Sequence, residues 1–333
     1  MPDPMPEKMR VAIGLPRDAT DAHLRFARQL GCTDVVLATP ARLSGAERWE
    51  YDDLRGLREW VEGFGLRIEA IQNVPHAFWM NTRLGLPGRD AEIAHYQETV
   101  RNMGRAGITT LGYNFRAEPL YRTGTKPGRG GAVVTTFDRA LTRDMPLTFG
   151  REFSADQMWE AHEHFLRAVL PVAEAVGVRL ALHPDDPPGA DIGGVARIFS
   201  SFEGFERAAQ SANGSPAWGL LLCVGCWAEM GGTANVLRGI RHFGPRGQIA
   251  YVHFRDIQGV GDGGSDQFAE CFIGEGDLDI TAIMRALKEI GFTGSLIDDH
   301  APHMEGDDAW ATRSRAYQTG YLMGLLRAIN DMS

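Results

Sequence analysis

Eight short apolar runs rich in β-branched residues, separated by stretches of helical period, set the outline of this chain. They are RVAIGL at 10–15, DVVLAT at 34–39, LRIEAIQNVP at 66–75, TTLGYN at 109–114, VRLALHP at 178–184, WGLLLCVG at 218–225, IAYVHFRDI at 249–257 and GSLIDDH at 294–300. Helical runs alternate with them: 20–30, which Thr20 or Asp21 can cap, then 50–64, 90–106, a long run from near Ser154, and 201–212, 231–243, 279–291 and 308–329. Strands that are apolar almost throughout are buried on both faces, as in a parallel sheet covered by helices. Eight such units favour closure into an α/β fold of the (β/α)8 TIM-barrel type over an open, doubly wound sheet. No G-x-G-x-x-G follows the first strand and no G-x-x-x-x-G-K-[ST] occurs, which disfavours the nucleotide-binding alternatives.

The chain has 333 residues, long for one core, but α/β barrels with insertions reach this size as one unit. Residues 1–333 are therefore expected to form a single barrel domain. The extra length has a place: about forty residues rich in Gly, Arg and Thr separate the fourth strand from the helix beginning near Ser154. They read as a long β4–α4 insertion.

A net charge of -9, from 34 basic and 43 acidic residues, lacks the basic footprint that nucleic acid requires. An anionic small substrate would need local Arg, Lys or metal charge to overcome that field. Cys32, Cys223, Cys226 and Cys271 are too few and too scattered for a disulfide framework. The N-terminal MPDPMPEKMR has prolines and acidic residues where a signal peptide would be apolar, and no apolar stretch approaches a membrane span. The default expectation is a cytoplasmic protein without nucleic-acid or membrane partners, and a homo-oligomer is compatible with this reading.

Four of the apolar runs end in a side chain that binds metals: LALHP delivers His183, LLLC Cys223, YVHF His253 and LIDD Asp299, at intervals of 40, 30 and 46 residues. Each interval approximates one strand-plus-helix unit, so the four groups would ring the C-terminal mouth of a barrel, where such folds keep their chemistry. A buried Cys on a strand is usually a small hydrophobe, and a single His is more often structural. Four such residues at four strand ends point to a metal instead. His183 is followed by Pro184, Asp185, Asp186, Pro187 and Pro188, a stiff turn with two carboxylates beside the imidazole. Strand alternation sends Asp298 and Asp299 to opposite faces, and the sequence leaves open which enters the barrel. His300 and His303 are open to roles as ligands, proton shuttles or surface residues. Two His, one Cys and one Asp suit Zn2+, Fe2+ or Mn2+, and the thiolate disfavours Mg2+ and Ca2+.

The hexapeptide HPDDPP at 183–188 resembles the signature of the D-mannonate dehydratases of the xylose-isomerase-like barrel superfamily. So do LGLPGRD at 84–90, HYQETVRNMGRAGI at 95–108, YNF at 113–115, LC-x-G at 222–225, HFR at 253–255 and the Asp-His pair at 299–300, which together span the chain from about residue 70 onward. The resemblance implies a sugar-acid hydro-lyase converting D-mannonate to 2-keto-3-deoxygluconate with a divalent ion, Mn2+ or Fe2+, with Zn2+ or Co2+ as alternatives. It also places the metal ligands on His183, Cys223, His253 and Asp299. His300 matches a histidine that the family associates with proton transfer. A family Tyr of the last helix falls on Ala316 when Gly320 and Gly324 are aligned, so Tyr317, one place along, is taken as the candidate. Substrate contacts are expected from Tyr113, Asn114, Arg116, Arg122, Asp185 and Arg255.

The chain departs from the family in three places. Ile297 and Asp298 stand where the family has Arg-Pro, which removes a cation suited to a sugar acid. The run Arg116, Tyr121, Arg122, Thr123 matches only loosely, and KPGRGGAVVTTFDRA is unlike the usual enzyme. Two other functions share these features: a metal-dependent sugar isomerase or epimerase on the same barrel, and a sugar-acid binding protein that has lost catalysis.

Overall fold

The computed structural model describes residues 8–119, 122–189, 191–261 and 263–331. Each of the eight apolar runs contributes a strand to one parallel sheet. The first is split into Arg10–Val11 and Ile13–Leu15, and the others are Asp34–Ala38, Arg67–Gln72, Thr110–Tyr113, Arg179–Leu182, Trp218–Cys223, Ile249–His253 and Ser295–Ile297. The two pieces of the first strand join the ends of the sheet, because Arg10–Val11 pairs with Ser295–Ile297 and Ile13–Leu15 with Asp34–Ala38. The sheet thereby curls into a barrel. Helices cover its outside, among them Asp21–Gln29, Tyr51–Glu62, Arg89–Arg105, Ala155–Val176, Phe202–Ser211, Gly232–Phe243, Ile280–Glu289 and Thr312–Asp331. None of the described helices is long and apolar enough to cross a membrane.

Local sequence explains where these helices start. Ser154 Oγ accepts from the Gln157 amide at 3.3 Å while Gln157 Oε1 accepts from the Ser154 amide at 3.2 Å, a reciprocal cap that satisfies two otherwise orphaned donors. Ser201 caps Phe202–Ser211 through the Gly204 amide, and Asp279 caps Ile280–Glu289 through the Ala282 amide.

The apolar core has two compartments. A large cluster lies between sheet and helices, and a small one fills the barrel with Ala12, Val36, Ala70, Ala181, Leu221, Tyr251 and Ile297. Every strand but the fourth supplies one of these interior residues. At the fourth strand a Cβ on Gly112 would collide with the Tyr251 hydroxyl, so the missing side chain makes room for a ring from across the barrel.

The β4–α4 insertion departs from the sequence reading. It is partly sheet: Gly124–Pro127 and Val133–Asp138 form an antiparallel hairpin. Val133–Asp138 then pairs with Gln267–Cys271, which pairs with Asp256–Gln258, in a second, four-stranded sheet. IAYVHFRDI is accordingly not one strand. It leaves the barrel after His253 and re-enters sheet structure at Asp256, so Arg255 lies between the two sheets. His303 is exposed, and its backbone pairs with Val133 of the hairpin.

Candidate metal centre and active site

Strand periodicity positions the site. Side chains two apart on a strand share a face. The interior layer of Ala70, Ala181, Leu221, Tyr251 and Ile297 is therefore continued two residues on, at the mouth, by Gln72, His183, Cys223, His253 and Asp299. The apolar layer is the floor of the site, and the polar layer is the site itself.

The structure brings the four strand-end residues together. Asp299 Oδ1 lies 3.1 Å from His253 Nδ1, its Oδ2 lies 4.0 Å from Cys223 Sγ, and the His183 and His253 rings are 5.2 Å apart between centroids. One donor atom each from Cys223, His253 and Asp299 falls within 4.8 Å of the others, as does one each from His183, Cys223 and Cys226. The ring orientations suit a metal. His253 Nε2 is 3.0 Å from Gln72 Oε1, while its buried Nδ1 faces the Asp299 carboxylate inside the cluster. His183 Nδ1 donates to the Pro184 carbonyl at 2.7 Å, which leaves the lone pair on Nε2.

Charge balance argues the same way. Burial alone would raise the Cys223 pKa, but the hydrogen bond from Cys226, the Arg255 guanidinium and the two histidines pull it well below the usual thiol range. Asp299 is likewise depressed despite burial, by His253 and His300. His253 is pushed up to about 9 because the anions of Asp299 and Cys223 outweigh its burial. Two anions facing one buried imidazole form a pocket of negative charge suited to a divalent cation, and thiolate, imidazole and carboxylate are the donors such an ion takes.

Asp299 owes its aim to the backbone, which has φ 50 at this residue, a left-handed conformation uncommon for a residue with a Cβ. Asp298 turns outward, where its buried carboxylate accepts from Arg315 Nη1 at 3.0 Å. Arg315 Nη2 also donates to the Asp299 carbonyl at 3.0 Å, so one side chain of the last helix fixes both residues of the turn.

Behind the four lies a network of buried charge centred on Arg255, which is 0% exposed. Its Nε is 3.4 Å from Cys223 Sγ, and its Nη1 is 3.0 Å from both Glu270 oxygens. Its Nη2 lies 2.8 Å from Glu229, 3.1 Å from Cys226 Sγ and 3.3 Å from Asp186. Asp186, Cys226 and Glu229 thus resemble a second ligand set, but a guanidinium nitrogen sits among them. Arg122 adds a second cation, paired with Asp186 at 2.7 Å and with Glu270. Glu270 is held at about 2 against its burial by Arg255, Arg122 and His300, whereas burial carries Glu229 up to about 8 despite Arg255.

His300 is the member of this network open to a substrate, with 24% of its side chain exposed. Its Nδ1 donates to Glu270 Oε1 at 3.0 Å, and its Nε2 is 3.4 Å from Asp299 Oδ2. A carboxylate that fixes the tautomer of an exposed imidazole is the arrangement expected of a proton-transfer group.

The remaining expected site residues divide. Arg116 reaches the HPDDPP turn, donating to the Asp186 carbonyl at 2.8 Å. Asn114 follows the interior parity of Gly112, and its amide donates to Asn73 Oδ1. Arg122 and Arg255 are part of the site but are engaged with protein carboxylates. The structure does not bring Tyr113, Asp185 or Tyr317 to the cluster. Tyr113 has the opposite parity and packs outward against Trp79 and Phe165, its hydroxyl 3.2 Å from His162 Nε2. Asp185 is buried and accepts from the Phe199 amide at 2.8 Å. Tyr317 is 37% exposed and packs on Phe272 and Tyr321 beside Arg129. The next residue of that helix, Gln318, donates to the His300 carbonyl at 2.9 Å. Tyr121 lies outside the described residues.

Gln72, Glu270, Glu229, Cys226 and Arg315 escaped the sequence reading as site residues. Gln72 had a readable signal, because it ends an apolar strand just as the four ligands do, and Cys226 completes C-x-x-C with Cys223. Glu270 had none, since it arrives on a strand of the covering sheet.

A prediction follows at Gly225. A Cβ there would sit 2.5 Å from Arg255 Cζ, and that guanidinium has no room to retreat. Gly225→Ala should cost about 1–3 kcal/mol of overpacking, read as a lower urea midpoint, and should lower turnover by displacing Arg255 from Cys223.

Comparison with known proteins accords with this geometry. The family model for D-mannonate dehydratase (UxuA) matches residues 16–148 and 146–333. The mannonate dehydratase of Thermotoga neapolitana is 30% identical over 350 residues, covering 93% of this chain and 94% of that protein. That of Streptococcus agalactiae serotype III is 30% identical, covering 85% and 88%. The crystal structure of mannonate dehydratase from Streptococcus suis serotype2 superposes with a TM-score of 0.85 at 27% identity, covering 97% of this chain and 93% of that one. A xylose isomerase domain protein from Planctomyces limnophilus, at TM-score 0.65 and 15% identity, shares the barrel alone. Matched along nearly its whole length by both sequence and fold, the chain belongs to the D-mannonate dehydratase family.

Proposed function

We propose that this protein is a metal-dependent sugar-acid hydro-lyase that removes water from D-mannonate, or a closely related aldonate, to give the 2-keto-3-deoxy acid. The carrying observation is the convergence of His183, Cys223, His253 and Asp299 at the barrel mouth, with the exposed imidazole of His300 held beside them by Glu270. The reaction breaks C2–H and C3–O bonds. A proton α to a carboxylate is weakly acidic and hydroxide leaves poorly, so both ends of the elimination need help. When bound, a divalent ion, Mn2+ or Fe2+ by the family and by ligand type, supplies a Lewis acid for substrate oxygen.

The chain's own groups do the rest. His300 takes or returns a proton at Nε2, since its Nδ1 proton is committed to Glu270. Glu270 stabilises the imidazolium that results, and its low pKa keeps it an anion throughout. Arg116 and Arg122 place guanidinium charge near the mouth, which offsets the acidic surroundings for an anionic substrate. Four free cysteines, all buried, accord with a reducing compartment, and we place the protein in the cytoplasm acting on a small molecule alone.

Chelation tests the metal requirement. Protein stripped of metal should lose turnover of D-mannonate and regain it on adding Mn2+ or Fe2+. Binding of the ion to the folded state alone should also raise stability by about 4 kcal/mol at a thousand times Kd, seen as a metal-dependent melting temperature. Stripped protein that keeps full turnover would sink the proposal.

A further inference from the structure

We propose that Cys223 and Cys226 form a reversible oxidation site, closing to a disulfide in the metal-free protein and so withdrawing Cys223 from the metal. The inference rests on the reading of Cys223 as a ligand. It begins with a buried thiol for which the elimination has no use: Cys226 is 0% exposed, as is Cys223. Cys223 ends the sixth barrel strand, and Cys226 is the third residue of the helix Val224–Glu229 that follows at once. Side chains at the residue before a helix and at its third position meet across the first turn. Here the two sulfurs lie within 4.8 Å of each other.

One cation touches both sulfurs. Arg255 Nε is 3.4 Å from Cys223 Sγ and Nη2 is 3.1 Å from Cys226 Sγ, so one guanidinium holds the two sulfurs side by side. A second thiol within reach of the first turns a sulfenic acid into a reversible disulfide rather than a terminal oxidation product.

The oxidant is a peroxide. The Cys223 thiolate attacks one peroxide oxygen, the O–O bond breaks, hydroxide leaves, and Cys223 becomes a sulfenic acid. Cys226 then attacks that sulfur, forming the S–S bond, while its thiol proton passes to the sulfenic oxygen, which leaves as water; the hydroxide of the first step takes up the proton that Cys223 gave up. In sum, two thiols and one hydrogen peroxide give one disulfide and two waters. A bound ion would protect Cys223, since its lone pair is then engaged.

The test treats chelator-stripped protein with one equivalent of hydrogen peroxide, then measures intact mass, thiols in denaturant and uptake of Mn2+. The wild type should lose two hydrogens in mass, fall from four titratable thiols to two, and take up no Mn2+ until dithiothreitol restores both thiols and uptake. Cys226→Ser, with Cys226→Ala as a second variant should the first fold poorly, should instead gain one oxygen on Cys223 as a sulfenic acid, captured by dimedone, and form no disulfide. Added oxygen without paired thiol loss in the wild type, or the same behaviour in wild type and variants, would overturn the proposal. A disulfide that left Mn2+ uptake intact would break its link to the metal and remove Cys223 from the ligand set, whereas a failed disulfide with Mn2+ bound normally before oxidation would leave that ligand role standing.

Discussion

Cys223→Ala should abolish metal binding and turnover together, whereas His300→Asn should bind the ion as before and lose turnover by about 100- to 10,000-fold. The two variants differ because the two side chains do different things. Cys223 is the one member shared by the two donor groups that hold the candidate ligands, within 4.8 Å of His183 in one and of His253 and Asp299 in the other. Its removal leaves donors that no longer converge. His300 instead contacts the cluster from its exposed side, through Nε2 at 3.4 Å from Asp299. Asn at 300 keeps an amide near Glu270 but cannot accept and return a proton. The loss should therefore appear in kcat rather than in metal content or in KM. Metal analysis beside steady-state kinetics separates the two roles. A metal-free, active Cys223→Ala protein would overturn the ligand set, and a His300→Asn protein with ordinary kcat would move the proton transfer elsewhere.

Arg255→Met should be the most destabilising single change in the site, by about 3–5 kcal/mol. A buried guanidinium that serves Cys223, Asp186, Glu229 and Glu270 cannot be replaced by an apolar chain without leaving several anions in a medium that solvates them poorly. Arg255→Lys should recover only part of the loss, because an ammonium is a point charge and cannot span the thiolate and three carboxylates as the planar fork does. Urea unfolding of the three proteins, with chelator present so that metal binding does not enter, measures the effect. Equal midpoints would mean that the carboxylates neutralise themselves by taking up protons and that the guanidinium is dispensable to the fold.

The barrel and its ligands were legible because both follow from period-two geometry at strand ends. An apolar run followed by one polar residue marks where a strand leaves the core, and His183, Cys223, His253 and Asp299 each stand at that point. The same rule could have turned Tyr113 outward, since its neighbour Gly112 faces the barrel, and could have added Gln72. The covering sheet was not legible. Gly124–Pro127 reads GTKP and is exposed along its whole length, so it lacks the apolar alternation by which strands are recognised. Its partner, Val133–Asp138, takes its other neighbour, Gln267–Cys271, from far along the chain, and that pairing exists only because the fold brings the fourth and seventh connections together. Glu270 was hidden with it.

The departures from the family take on physical meaning in the same way. Asp298, where the resemblance leads one to expect proline, is an outward carboxylate paired with Arg315 of the last helix. One residue of rotation in that helix decides which side chain meets His300, and here it is Gln318 rather than Tyr317.

The most direct test of the account is the identity of the product that metal-loaded protein makes from D-mannonate. The prediction is a 2-keto-3-deoxy acid lighter than its substrate by one water, formed only with Mn2+, Fe2+ or another divalent ion bound. A product of unchanged mass would show an isomerase or epimerase on this barrel, and no turnover from protein carrying its metal would contradict dehydration of this substrate.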